Sequence, residues 1–228
     1  IPLPNWRVTY DGLGKLPLFK KVFNNVSLTH SYRSTFNVNS YNRNLNYVDG
    51  KYQTAKDISG NFIPSREFGQ VSLVEQFAPL IGVDVTWKNN IQTRAEFKRD
   101  RNVSLTYAGV QVTEVKGNEI TLGFGYRLPK FKLPFNLSKK VSGNGLNLTA
   151  DFSARRNSTI IRRLLEGVNQ PTAGLNVYSI KAAADYAVSD KLNMRFFYEQ
   201  TINTPVISTS YPTSNINTGI EIRFSLSQ

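Results

Sequence analysis

A chain of 228 residues that is 40% hydrophobic, with a mean hydropathy of −0.33, can form one large domain. It contains no apolar run near the ~18 residues of a membrane-spanning helix. Without cysteine there are no disulfides, Cys-bound metals or thiol chemistry, and with a lone histidine, His30, neither a His-based zinc site nor a Ser-His-Asp triad is expected. The net charge of +12 is spread along the chain among interleaved acids, which fits a solvated polar face or anionic headgroups rather than nucleic acid.

Fourteen Phe, eleven Tyr and two Trp, with abundant Asn, Ser and Thr, favour strands and turns. The chain opens Ile1-Pro2-Leu3-Pro4 without a basic and apolar leader, so a processed chain or a fragment is expected. Trp6, Val8 and Tyr10 alternate as a short strand, and Val26, Leu28, Tyr32, Phe36 and Val38 as a long one, where His30 has a structural role. A weaker strand runs near Phe68 to Phe77, and Ala78-Pro79-Leu80 reads as a turn. Ile81, Val83, Val85 and Trp87, then Asn89-Asn90, then Ile91, Thr93, Ala95 and Phe97 form the best hairpin, since Asn tolerates the positive φ of a two-residue turn.

Residues 99–102 read as another turn, Val103, Leu105 and Tyr107 as a strand, and Ala108-Gly109 as a bulge. Strands follow at Ile120 to Leu128, Leu146 to Ala154, Ile180 to Val188 and Leu192 to Tyr198, where Phe197 interrupts the polar face. Ile160, Ile161, Leu164, Leu165 and Val168, behind Asn157-Ser158 and before the stop at Gly167, suggest a short basic helix. Two strand extensions meeting at Asn169-Gln170-Pro171 are the alternative. The last strand has Ile220, Ile222, Phe224 and Leu226 on one side and Glu221, Arg223, Ser225 and Ser227 on the other.

About eleven strands result, in one domain spanning residues 1–228, with no separate soluble domain. Short connectors at 78–80, 99–102 and 189–191 would share the end where the last strand finishes. Longer ones at 39–67, 109–119, 155–175 and 200–215 would lie opposite, with 89–90 and 129–145 as exceptions. This is the asymmetry of bacterial outer-membrane barrels. An all-β fold is therefore expected, an antiparallel transmembrane β-barrel wall segment from a very large outer-membrane barrel. A soluble sandwich is the competing fold, disfavoured by long strands, charges of both signs on the polar faces, and aromatics such as Trp87, Phe97, Tyr107, Tyr126 and Tyr186 closing the apolar ones.

On this reading Ile81, Val83, Val85, Trp87, Ile220, Ile222, Phe224 and Leu226 face lipid. Asp84, Arg94, Glu96, Arg127, Asp151, Arg155, Lys181, Asp185, Arg195, Glu199 and Arg223 face a wet lumen. No spacing resembles a nucleophile, metal, phosphate or cofactor site, so an enzyme is not expected.

Several words of the sequence resemble the SprA/Sov family. They are Pro4-Asn5-Trp6-Arg7-Val8-Thr9-Tyr10-Asp11-Gly12-Leu13, His30-Ser31-Tyr32-Arg33-Ser34-Thr35-Phe36 and Glu75-Gln76-Phe77-Ala78-Pro79-Leu80-Ile81-Gly82. So are Asn169-Gln170-Pro171-Thr172-Ala173-Gly174, and Asn203-Thr204-Pro205 through Ser210-Tyr211-Pro212-Thr213-Ser214-Asn215. The likeness runs through most of the chain and matches the carboxyl-terminal part of that family. It implies the outer-membrane translocon of the type IX secretion system of Bacteroidota, a very large barrel exporting folded cargo and, in some members, serving gliding motility. The implied partners are a PorV-type shuttle barrel, a periplasmic plug protein, cargo with a carboxyl-terminal secretion signal, and outer-membrane lipid, with no nucleic acid and no cofactor. A small self-contained porin or receptor barrel is the alternative function, and a soluble secreted adhesin a third.

Overall fold

The computed structural model describes residues 4–47, 56–129, 131, 145–189, 191–207 and 210–225. Nine strands form one sheet in which each pairs antiparallel with the next. They are β1 (Trp6–Tyr10), β2 (Phe23–Arg43), β3 (Arg66–Trp87), β4 (Ile91–Thr106), β5 (Gln111–Leu128), β6 (Leu146–Arg163), β7 (Val168–Ala187), β8 (Leu192–Pro205) and β9 (Thr213–Phe224). Between β1 and β2 lie a 3-10 turn, Gly12–Lys15, and a single helical turn, Pro17–Lys20. Among the described residues no helix is long and apolar enough to cross a membrane.

Nine strands replace the expected eleven because two of the turns are strand. The Phe68–Phe77 and Ile81–Trp87 segments join as β3 across Ala78-Pro79-Leu80, where the register to β4 shifts between Phe77 and Ile81. Proline has no N–H to give a ladder and is accommodated at a bulge. Here the Ala78–Pro79 peptide is cis, Ser31 Oγ donates to the Ala78 carbonyl at 2.5 Å, and His30 Nδ1 lies 2.6 Å from the Leu80 carbonyl, in the tautomer that donates. His30 thus satisfies a bulge. Residues 99–102 likewise lie inside β4, paired throughout with β5.

Three further expectations change. Ala108-Gly109 belongs to the β4–β5 turn, closed by a Val110 N–H to Tyr107 carbonyl bond and by Val110 at φ 43. The helix expected around Ile160 to Val168 is a hairpin. β6 continues to Arg163, the turn spans Leu164 to Gly167, and Arg163 pairs Val168. Thr159-Ile160-Ile161 is β-branched and suits a strand, while Gly167, read as a helix stop, supplies a turn with φ 67. Asn169-Gln170-Pro171 lies within β7, past that turn, with Pro171 opposite a register shift. The Asn89-Asn90 turn is as expected, with Asn90 at φ 62.

Removing two turns reassigns the connector ends. The end where β9 finishes, here the near end, carries 11–22, 88–90, 129–145 and 188–191, while the far end carries 44–65, 107–110, 164–167 and 206–212. The short-near, long-far asymmetry does not hold, because much of the expected far-end loop is strand. Residues 48–55, most of 129–145, Asp190, 208–209 and Leu226 lie outside the described residues.

The sheet is a single layer, with β1 and β9 as its edges and no closure between them. Among the described residues no large side chain is fully buried, and nothing packs as a second layer.

Candidate functional site

Directly paired residues of an antiparallel sheet point to the same side, so the register sorts every side chain onto one of two faces. One row runs Asp84–Arg94–Gly123–Asp151–Lys181–Glu199–Asn217 across seven strands. A neighbouring row on that face runs Arg127–Asn147–Asp185–Arg195–Glu221. Glu96, Arg155 and Arg223 share this polar face, so all eleven charged residues singled out in the sequence fall together. Ile81, Val83, Val85, Trp87, Ile220, Ile222 and Phe224 lie on the other face; Leu226 is outside the described residues.

The polar face is a lattice of alternating charge. Arg94 Nε meets Asp84 Oδ1 at 2.7 Å, Lys98 Nζ meets Glu96 at 3.0 Å, Lys181 meets Glu199 at 3.8 Å and Arg195 meets Asp185 at 3.7 Å. These pairs are partly exposed, and each contributes only about 0.2–1 kcal/mol. Their larger effect is to leave the face charged, hydrated and locally neutral.

Glycines on β5 allow bridges across that strand. Arg155 on β6 passes Gly117 to reach Asp100 on β4 at 2.9 Å, while also holding Glu119 at 3.0 Å. A Cβ at Gly117 would lie 2.5 Å from Asp100 Oδ1, so only glycine leaves the carboxylate its place. Phe197, the aromatic interruption of this face, lies with its ring over Gly219 of β9, where a Cβ would come 2.9 Å from its Cζ.

The apolar face is a band with two borders. Ile120, Leu122 and Phe124 are 49%, 48% and 45% exposed, and Ile220 and Ile222 exceed 60%, with nothing packed over them. Toward the near end lie Phe23, Trp87, Tyr126 and Tyr186, with Phe23 and Trp87 edge-to-face at 4.6 Å and Trp87 Nε1 donating to Thr93. Toward the far end Trp6 stacks on Tyr32 at 4.6 Å and Tyr32 meets Phe77 at 4.8 Å. Trp87, Tyr126 and Tyr186 thus sit at a border, as the sequence suggested. Phe97 lies one row inside the far border, and Tyr107 is in the β4–β5 turn well beyond it.

Past the far border the apolar face becomes charged. Glu114, with 2% of its side chain exposed, accepts Arg101 at 2.7 Å, Lys116 at 3.1 Å and Arg162 at 2.6 Å. Arg101 also reaches Glu75 at 3.4 Å, and Tyr32 Oη donates to Glu75 at 3.0 Å. Burial pushes the Glu114 carboxyl pKa up, but the hydrogen bonds and charges of Arg101 and Lys116 outweigh it and bring it down to about 2. The hydrogen bond to Glu114 correspondingly raises Arg101, against desolvation. Sequence reasoning missed this cluster because residues 99–102 and 109–119 read as connectors. The available signal was the period-two continuation Glu114, Lys116, Asn118 into Ile120.

Among the described residues no group of three or more His, Cys, Asp or Glu side chains could hold a metal ion. No protein-family model matches the chain, and no curated protein matches it.

Proposed function

We propose that the sheet is part of the wall of a transmembrane β-barrel in a bacterial outer membrane, lining the pore of a protein-conducting type IX secretion translocon. The observation that carries the membrane reading is the division of one unlayered sheet into a charged face and an exposed apolar band bordered by aromatics at both ends. Water would penalise that band heavily, whereas lipid solvates it, and Trp and Tyr prefer the interface. From Ile120 to Leu128 the strand rises roughly 25 Å, on the scale of an apolar barrel band before tilt. The open edges fit a larger wall better than a small closed barrel. Hydrocarbon offers no partner to a bare strand edge, so further strands must supply one.

The translocon reading adds the resemblance to the SprA/Sov family, and the polar face suits it chemically. A wall of paired, mixed-sign charges presents a passing folded cargo with no apolar surface to hold it. A PorV-type shuttle, a plug and signal-bearing cargo are the partners this reading brings.

A chain without cysteine allows single-cysteine probes. With the native protein in its membrane, Asp151→Cys and Lys181→Cys are expected to cross-link secreted cargo, and Leu122→Cys to react only with lipid-borne reagents. Small-solute conductance without any cargo cross-link would support a porin. Equal labelling of Asp151→Cys and Leu122→Cys by a water-soluble reagent would remove the membrane reading.

A further inference from the structure

Arg99, Asn118 and Arg156 lie side by side on β4, β5 and β6, on the apolar face, in the first row beyond Phe97, Ile120 and Ala154. All three are exposed. Among the described residues neither arginine has an ion pair or hydrogen-bond partner, although carboxylates hold Arg101, Lys116 and Arg162 slightly further out. Glu75 and Glu114 are committed to that outer group, so the patch keeps a surplus of positive charge at the edge of the band.

From this geometry we infer that Arg99, Asn118 and Arg156 form a seat for the phosphate of a membrane-lipid headgroup, an inference that rests on the membrane reading above. Two adjacent strand spacings put the arginine backbones roughly 10 Å apart, so both side chains close over one phosphate with the Asn118 amide between them. Guanidinium matches phosphate with paired N–H donors, and the position is that of a headgroup whose acyl chains run down over Ile120 and Phe97. A soluble anion shares only the phosphate contact, whereas a lipid also gains the apolar one. On the polar face Arg94, Arg155 and Arg195 each meet a carboxylate, but at this seat the lipid supplies the counter-charge.

The test uses the full native chain, delipidated and reconstituted in phosphatidylcholine vesicles doped with spin-labelled phosphatidic acid or spin-labelled phosphatidylcholine. The protein is expected to immobilise phosphatidic acid several-fold over phosphatidylcholine. Arg99→Gln combined with Arg156→Gln should bring the ratio near unity, and Asn118→Asp should lower it without removing either arginine. Inorganic phosphate in the buffer should leave the preference standing. Its displacement of the lipid at millimolar concentration would mean a plain anion site and overturn the lipid seat. A preference unchanged in the double variant also overturns it. If neither labelled lipid is immobilised, the membrane reading itself fails, and the seat with it.

Discussion

Between Ile120 and Leu128, β5 turns Ile120, Leu122, Phe124 and Tyr126 to a side that nothing covers, whereas between Gln111 and Asn118 the same side carries Val112, Glu114, Lys116 and Asn118. The strand, its neighbours and its hydrogen-bond ladder are the same in both stretches. What differs is the chemistry of the side chains that this side presents, and on the proposed membrane reading it is the solvent each half meets. The near half exposes large apolar groups and needs a medium that dissolves them, and the far half buries a carboxylate among three cations as water-facing proteins do. At 22 residues β3 is about twice as long as the ~9–11 needed to cross a bilayer, so on the proposed membrane reading hairpins standing beyond the bilayer account for the rest.

The sharpest way to break the comparison is to put a charge into the near half. Leu122→Arg should cost about 2–4 kcal/mol when folding into lipid vesicles is titrated with urea, and Thr121→Arg, one residue away on the polar face, should be nearly silent. Equal costs at the two positions would erase the distinction between faces. In the far half, Glu114→Ala strands Lys116 and Arg162, leaves Arg101 only Glu75, and should cost about 2 kcal/mol. Proteolysis should then speed up at the 107–110 and 164–167 turns while the band stays protected.

Acid should separate the halves without mutation. Because folding lowers the Glu114 pKa from 4.5 to about 2, its contribution is complete above pH 4.5 and is lost as pH falls toward 2. Hydrogen exchange should accelerate first around Glu114 in that window, and Glu114→Gln should abolish the pH dependence there. The smallest effect is expected at Gly117→Ala. The new methyl must displace the Asp100 carboxylate and loosen its bond to Arg155, for about 1 kcal/mol by equilibrium unfolding.

Much of the near half was legible from alternation, because one face is mostly apolar and the other mostly polar from β3 to β9, with Thr93 and Phe197 among the exceptions. The seven described residues assigned to lipid and the eleven assigned to the lumen separate by register as the period of two requires. The far half was not legible. There both faces carry polar groups, so Asn118, Lys116 and Glu114 looked like loop, and the β6–β7 hairpin looked like a helix through the spacing of Ile160, Ile161, Leu164 and Leu165. Pro79 misled in the same way, since a proline in a strand is normally a stop unless a bulge and two side chains, Ser31 and His30, absorb the freed carbonyls.

By itself, then, the sequence determined that the chain is all-β and which neighbours along a strand oppose each other, because a pleated strand turns alternate side chains to opposite sides whatever it pairs with. Only the tertiary structure decided that two turns are strand, that Arg155 reaches Asp100 over a glycine, and that Arg99 and Arg156 flank Asn118 without a carboxylate. Those facts depend on which residue lies opposite which across separate strands, and hydrogen-bond register between distant segments has no signature within either segment.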